Sequence, residues 1–388
     1  MNNIHTKELN VVSYIKENSL EHLIDVYKLR ANYHKDYPNL VQLCYHQLDT
    51  KKDSLSDNCR GLILDIDDNY RVVSFPFTRF PDYNYKNPSN NKVDFEDCKF
   101  YTKEDGSLIN LYFYGNKWNV STKGLPDASG MIKGFDKSYN DYFWEVWDEK
   151  EYKLPDENTN LNFIFELIIP TDSFLVQSKE PNIILLGIRN TETLEEMDIR
   201  RYRTNVKTYY NWNVVSFQDY TIEAILDDVL LVDPLTFEGY VACDSNFNRC
   251  KIKSPQYEAI NLLRTNNFTN QEEWLKREET IKKDNFRRLC EIVRVNSHSS
   301  FLKLKKYSEF TEQYKEISSK YKQIINTLEN LIIQCEGLEG KELGLKCKQY
   351  PLYNSFMFAY RVGKIKTIKD YLRTIDIKNF ETMIKAQK

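Results

Sequence analysis

At 388 residues, with 41% hydrophobic and 14% aromatic content, the chain is long enough for two folded domains and too apolar to be disordered. It contains no run of about 18 apolar residues that would span a bilayer. Its opening, Met1-Asn2-Asn3-Ile4-His5, lacks the basic and apolar blocks of a secretion signal, so a cytoplasmic protein with no membrane partner is expected.

The net charge of −3 conceals an asymmetry. Residues 255–388 carry 25 Lys and Arg against 17 Asp and Glu, a balance of +8, which leaves 29 against 40, or −11, for residues 1–254. An acidic body with a basic tail points the tail at a polyanion; the plainer alternative is a lysine-rich helical domain. Cysteines stand at 44, 59, 98, 243, 250, 290, 335 and 347, with no Cys-x-x-Cys pair and no histidine cluster beside them. Reduced buried thiols are expected there, rather than a zinc site.

In chain order, residues 7–30 read as helix, from Leu9, Val12, Ile15, Leu20, Leu23, Val26 and Tyr27 at helical spacings. Residues 39–48 predict a strand or strand pair. Gly61 to Ile66 is a strand, Asp67-Asp68-Asn69 turns the chain, and Arg71 to Phe75 returns. The prolines of Phe75-Pro76-Phe77-Thr78-Arg79-Phe80-Pro81 make that stretch an extended crossing segment.

Leu108 to Tyr114 alternates, with Ile109, Leu111 and Phe113 on one face and Asn110, Tyr112 and Tyr114 on the other. Gly115-Asn116 is a two-residue hairpin turn into a return strand over 117–123. A short amphipathic helix is predicted over 139–148. Strands follow over 161–169 and 183–188, and then a hairpin from 238–243 and 249–253. The body from about 40 to 254 is thus an α+β domain of mainly antiparallel strands. After Pro255 strand signals vanish. One helix is predicted over 301–335, where Tyr307, Phe310, Tyr314, Ile317, Tyr321, Ile324, Leu328 and Leu331 form a heptad seam. Packing of that seam within its own domain is preferred over an intermolecular coiled coil.

The chemistry centres on Thr102-Lys103-Glu104-Asp105-Gly106-Ser107-Leu108. Lys-x-Asp-Gly marks enzymes that attach a nucleotide to their own lysine. A lysine attacking a phosphate must lose its proton, against a free pKa of about 10.4, and must approach strong negative charge. Nearby cations ease both demands. Candidates are Lys251 and Lys253, which alternate on one strand face, Lys123 at the end of the return strand, and Arg60 and Arg79 upstream.

The acids argue further. Glu166 sits inside the apolar run Leu161-Asn162-Phe163-Ile164-Phe165-Glu166-Leu167-Ile168-Ile169. There it is either a structural ion-pair partner or an acceptor for a ligand hydroxyl such as a ribose. Glu238, before Gly239, reads best as a magnesium holder facing phosphate. Asp105 could orient Lys103, contact metal, or start the turn with Gly106.

These residues resemble the covalent nucleotidyltransferase superfamily, and within it the ATP-dependent single-strand RNA ligases of the bacteriophage tRNA-repair type. The resemblance covers about 40 to 257 and keeps the family's order. Cys59-Arg60-Gly61 is similar to the upstream arginine motif, Lys103 to Leu108 to the nucleophile motif, and Ser121-Thr122-Lys123-Gly124 to the second-strand lysine. Phe165-Glu166-Leu167, the apolar 183–189 strand, Glu238-Gly239-Tyr240-Val241, Lys251-Ile252-Lys253-Ser254 and the aromatic Tyr257 complete the series. One departure stands out. Where the family usually has Lys-Phe-Phe-Asn, this chain has Arg79-Phe80-Pro81-Asp82.

The resemblance implies an N-terminal, ATP-grasp-like antiparallel ligase domain over 1–257, with adenylyltransferase chemistry, and an all-α domain over 258–388 as an RNA-specificity module. It implies Lys103 as catalytic nucleophile. It implies Arg60, Arg79, Asp105, Gly106, Lys123, Glu166, Glu238, Lys251, Lys253 and Tyr257 as ATP-binding residues, with Glu238 holding metal. ATP and Mg2+ (or Mn2+) would be required. The partners would be single-stranded or broken RNA, such as tRNA, and a separate end-healing kinase/phosphatase. Rival readings are a DNA ligase or capping guanylyltransferase, which typically carry a β-rich barrel where this chain turns helical, and a non-catalytic RNA-binding protein on a ligase scaffold.

Overall fold

The apolar pattern of residues 7–30 is that of two helices and a strand, not of one helix. In the computed structural model Ser19 takes φ 115° and ends α1 (Asn10–Asn18), and its hydroxyl then accepts the His22 amide to start α2 (Leu20–Tyr27). Lys28, at φ 53°, ends α2, and the chain leaves as β1 (Leu29–Tyr33). The residues described are 8–46, 49–85, 87–171, 174–263, 271–295 and 299–387, with the backbone alone for 271–278. Residue 7, the opening stretch 1–5 and positions 47 and 48 of the predicted strand lie outside them. The chain divides into two units, residues 1–225 with 239–252, and residues 226–238 with 253–388.

In the first unit β1 joins β2 (Leu40–Tyr45), β3 (Arg60–Asp65) and β4 (Arg71–Ser74) in an antiparallel sheet of that order, with α3 (Ser54–Asn58) leading into β3. Val41, Leu43, Leu62 and Leu64 pack one face against Val11, Leu20 and Leu23 of the two helices. Leu40, Ile63 and Val73 face the other way, onto Tyr112.

β5 (Cys98–Thr102) runs up to Lys103, and β6 (Ser107–Tyr114) and β7 (Lys117–Thr122) follow as the predicted hairpin. Gly115 and Asn116 sit at φ 60° and 59°, the left-handed pair that a tight two-residue turn requires. After α4 (Tyr139–Glu149) come β8 (Leu161–Ile168), β9 (Asn182–Asn190) and β10 (Glu196–Met197). Then α5 (Ile199–Tyr210), β11 (Asn213–Val214), β12 (Phe217–Gln218), α6 (Ile222–Asp228), β13 (Gly239–Asp244) and β14 (Arg249–Lys253) close the series. A second sheet has the order β10-β9-β8-β6-β7, with β11 parallel on β9, and a third has the order β12-β5-β13-β14.

The alternation expected of β6 does not expose its second face. Asn110 and Tyr112 are fully buried like Ile109 and Leu111, because the first sheet covers them and the Tyr112 hydroxyl donates to the Pro126 carbonyl at 2.8 Å. The opposite face of the second sheet carries an extensive core, where Phe163, Phe165 and Leu185 meet Phe143, Trp147 and Trp212. All eight cysteines are buried and none forms a disulfide.

In the second unit the described residues beyond Lys253 form helices, short 3-10 turns and loops, with no strand. These helices are α7 (Pro255–Asn261), α8 (Gln271–Val295), α9 (Thr311–Gln334), α10 (Gly340–Lys348), α11 (Asn354–Arg361), α12 (Ile368–Thr374) and α13 (Ile377–Ala386). The helix expected from 301 begins only at Thr311. Before it, Leu304 is extended at ψ 125° between two 3-10 turns, whose step of three buries Phe301, Tyr307 and Phe310. The seam of α9 (Tyr314, Ile317, Ile324, Leu328, Leu331) is buried, and α9 packs on α8, α12 and α13 of its own unit. No helix of the described residues is long and apolar enough to cross a membrane.

Candidate active site

The third sheet and the second face each other across a cavity of about 120 Å³. Side chains alternate along strands, so Tyr101 of β5, Val241 and Cys243 of β13, and Arg249 and Lys251 of β14 present one face to it, and Lys103 continues the alternation of β5. Leu108 of β6, Glu166 of β8, Leu186 and Gly187 of β9, and Glu196 and Met197 of β10 form the opposite wall. Arg60, Lys103, Glu166 and Lys251, remote in sequence, therefore line one space. The Lys103 amide is fixed by donation to the Gly239 carbonyl at 2.8 Å.

The residues after Lys103 hold the chain close to the second sheet. A Cβ on Gly106 would lie 2.5 Å from the Leu167 carbonyl oxygen, so only glycine fits there. Asp105 neither starts a free turn nor reaches into the cavity. Its Oδ2 accepts the amides of Leu175 and Val176 at 3.0 and 2.9 Å, anchoring a loop.

At one end of the site the cations stand around an aromatic ring. Gly61, at φ 95°, brings β3 against the backbone of Lys123, where an added Cβ would lie 3.3 Å from the carbonyl oxygen. The neighbouring Thr122 carbonyl accepts from the Gln42 side chain at 2.9 Å, and the Gly124 carbonyl from Asn32 at 2.7 Å. The Lys123 ammonium lies 4.6 Å from the centre of the Tyr45 ring, and the Arg79 guanidinium lies 5.9 Å from it. Burial, and then the charge of Arg60, lower the pKa of Lys123. Arg79 is engaged by Asp57 at 2.6 Å, and neither Lys123 nor Arg79 lines the cavity itself. The Nη1 of Arg60 is buried with no hydrogen-bond partner among the described residues. Tyr45 carried no signal in the sequence, since an aromatic residue in a strand reads as core.

The segment that departs from the family pattern is built into the wall. The Lys251 amide donates to the Pro81 carbonyl at 2.9 Å, and the Tyr83 amide donates to Lys251 at 2.7 Å. Phe80 lines the cavity under the Lys251 ammonium, 5.4 Å from the ring centre, and Asp82 pairs with Lys251 at 3.6 Å. Phe77 crosses β9 at Gly187, where a Cβ would lie 2.6 Å from the ring.

At the other end, a buried triad appears that periodicity did not signal. Glu196 pairs with Arg189 at 3.0 Å and with Arg249 through both carboxylate oxygens. Arg189 stacks on Phe75 at 4.2 Å and Arg249 on Phe77 at 4.6 Å. Burial opposes the charge on Arg249, but Glu196, Cys243 and Tyr101 together raise the guanidinium pKa.

Glu238, Lys253 and Tyr257 belong to the second unit. Glu238 is buried, its carbonyl accepting the Ser254 amide at 2.9 Å. The Ser254 hydroxyl caps α7 by accepting the amide of Tyr257, which is also buried.

The RNA ligase family model matches residues 58–257, just over half of the chain. An RNA ligase of Rhodothermus phage RM378 is 32% identical over 164 residues, covering 34% of this chain and 37% of that protein. A protein of Autographa californica nuclear polyhedrosis virus, provisionally named a bifunctional polynucleotide kinase/RNA ligase, is 26% identical over 276 residues, covering 64% of this chain and 37% of that one. The chain thus spans a little over a third of the length of these relatives. Among solved structures, an archaeal ATP-dependent RNA ligase aligns over 74% of this chain and 83% of its own, with 12% identity and a TM-score of 0.45. The matched region runs from Asn58, two residues before β3, to Tyr257 and contains every strand of the cavity; on that match, this chain belongs to the RNA ligase family.

Proposed function

We propose that the chain is an ATP-dependent RNA ligase that joins 5′-phosphate and 3′-hydroxyl RNA ends through a lysyl-AMP intermediate. The observation that carries this reading is the convergence of Lys103, Arg60, Glu166 and Lys251 on one cavity. The buried Nη1 of Arg60, without a partner among the described residues, suits an anionic ligand. The apolar and aromatic wall beyond, from Tyr101, Leu186, Met197 and Val241, suits a purine.

In the first step the Lys103 amine attacks the α-phosphorus of ATP. An N–P bond forms, the bond to pyrophosphate breaks, and the lysine proton is lost to solvent. Arg60 and Lys251 neutralise phosphate charge as it redistributes, Lys123 and Arg79 add to the positive field, and Glu166 accepts from the ribose. AMP then passes to the 5′-phosphate of an RNA end. Finally the 3′-hydroxyl attacks that end, and AMP leaves as the phosphodiester forms.

No group of three or more His, Cys, Asp or Glu side chains among the described residues is placed to hold a metal by itself. Magnesium binds through one or two carboxylates and the substrate's phosphates. Glu238 is the proposed carboxylate, and the ion would supply charge neutralisation to the phosphates. Asp105 and Gly106 serve by positioning the loop beyond Lys103, and Lys253 and Tyr257 complete the nucleotide-binding set on the family resemblance.

Intact-mass measurement after incubation with ATP and magnesium tests the reading. A mass gain of one AMP is expected, absent with GTP and absent in Lys103→Ala; no gain under any condition would leave an RNA-binding protein on a ligase scaffold. The substrate is proposed to be broken single-stranded RNA of the tRNA-repair kind, with ends prepared by a separate kinase/phosphatase and a cytoplasmic site of action. The +8 balance of residues 255–388 supports RNA contact by the helical region, over 258–388. Sealing of a nicked anticodon loop should exceed that of unstructured RNA and of DNA; equal sealing of all three would remove the tRNA assignment.

A further inference from the structure

The cavity has a neighbour. A second space of about 300 Å³ lies beside it, lined by Asp97, Arg200, Arg201, Asp244 and Ser245. Tyr101, Glu196, Asp198, Cys243 and Phe247 line both, so these five side chains are the partition. Four of them are fixed by regular structure. Tyr101 and Cys243 lie on paired strands, Glu196 is held by two arginines, and Asp198 caps α5 and pairs with Arg200 at 2.8 Å. Phe247 differs. It sits in the turn between β13 and β14 at φ 61°, a conformation unfavourable for an aromatic residue, and is only half-buried.

The orientation of a nucleotide follows from the strand register and rests on the adenylation reading above. Lys103 marks the α-phosphate end. Along β5 the next inward residue is Tyr101, opposite Val241, and the one after is Lys99, opposite Cys243. The partition thus runs from Tyr101, about 7 Å along the strand from Lys103, to Cys243, level with a point about 14 Å away, so a sugar and base extending from Lys103 end against it. With the ribose at Glu166, the purine edge farthest from the sugar, bearing N1 and the six-amino group, faces the partition. We infer that Phe247 is the specificity-determining plug at that edge, and that the space behind it accepts a substituent on the six-amino group of ATP once the ring is removed. Arginines answer Glu196 and Asp198, and the further carboxylates of Asp97 and Asp244 line that space, so a flexible cationic substituent suits it.

The test uses the full chain, the intact-mass adenylation assay, and ATP beside N6-(6-aminohexyl)-ATP and an ATP bearing the same chain at C8. Phe247→Gly removes the ring and tolerates the φ, and Phe247→Leu removes part of it, so the series survives if one variant folds poorly. The concentration of N6 analogue for half-maximal labelling, relative to ATP, should fall at least tenfold in the glycine variant and by less in the leucine variant, with no matching gain for the C8 analogue. An unchanged ratio with ATP still labelling overturns the plug alone, as does an equal gain for the C8 analogue. Failure of the wild-type chain to label with ATP overturns the adenylation reading and this inference with it.

Discussion

The two ends of the cavity are both rich in arginine, yet they are built in opposite ways. At the triad end, Arg189 and Arg249 share the carboxylate of Glu196 and lie on phenylalanine rings, so their charge is answered by the protein. At the other end, Arg60 keeps a buried nitrogen without a partner among the described residues, and Lys123 has the ring of Tyr45 and the like charges of Arg60 and Arg30 beside it. Leaving cations uncompensated costs stability, and that cost is recovered only when an anion binds. Arg189 also keeps a buried Nε without a partner among the described residues, so what sets the two ends apart is the carboxylate of Glu196 shared by the triad arginines, not a single unsatisfied nitrogen.

Four experiments test that contrast. Glu196→Ala should have the largest effect on folding. It leaves two buried guanidinium groups unpaired and should lower the unfolding free energy by about 3–5 kcal/mol in urea titration. A smaller loss than that of an ordinary surface substitution would deny the triad its structural role. Arg60→Ala should do the reverse, slowing adenylation of Lys103 about 100-fold or more while the thermal midpoint stays near that of the parent. A large fall in melting temperature with unimpaired labelling would exchange the roles of the two ends.

The third experiment concerns pH. On the proposed reading Lys123 would bind phosphate as an ammonium ion, and burial and Arg60 place its pKa below the usual lysine value. ATP affinity, measured in Lys103→Ala so that the chemistry cannot interfere, should therefore weaken as pH rises through that lowered pKa. Lys123→Arg should carry the binding to higher pH, and coincident profiles for the two proteins would remove Lys123 from the phosphate site. The smallest effect is expected at Tyr45. Tyr45→Phe keeps the ring and should change little, whereas Tyr45→Leu should cost about 0.5–1 kcal/mol in ATP binding by calorimetry, the worth of an exposed cation–π contact.

Much of this was legible from residue patterns. The hairpin around Gly115-Asn116, the strands over 161–168 and 182–190, and the Arg249–Lys253 strand follow from periodicity and turn chemistry, which are local properties. Other parts were not. β5, the strand that ends at Thr102, just before Lys103, is too short and mixed in composition to announce itself, and β10 and β12, of two residues each, exist only by pairing. The helix expected across 7–30 broke at Ser19 and Lys28, because a left-handed residue or an odd φ at a junction is set by what the flanking elements pack against. In the tail, α9 lost its first turns to 3-10 geometry for the same reason.

For the site, the strand arithmetic alone placed Lys251 and Lys253 on one face and set Lys103 next to a tight glycine. What the motif could not reveal is the use of each residue. Asp105 proves to be a loop anchor, Arg79 an ion-pair partner of Asp57, and Asp82, in the segment where the chain departs from its family, a partner of Lys251. Residue types at readable spacings, a lysine with its cations and acids, were enough to place the chain in its family. Which cations are neutralised within the protein is settled by the fold. Charge compensation depends on distances across strands that are remote along the chain, and so does the meeting of Tyr101, Glu196 and Phe247 at one partition.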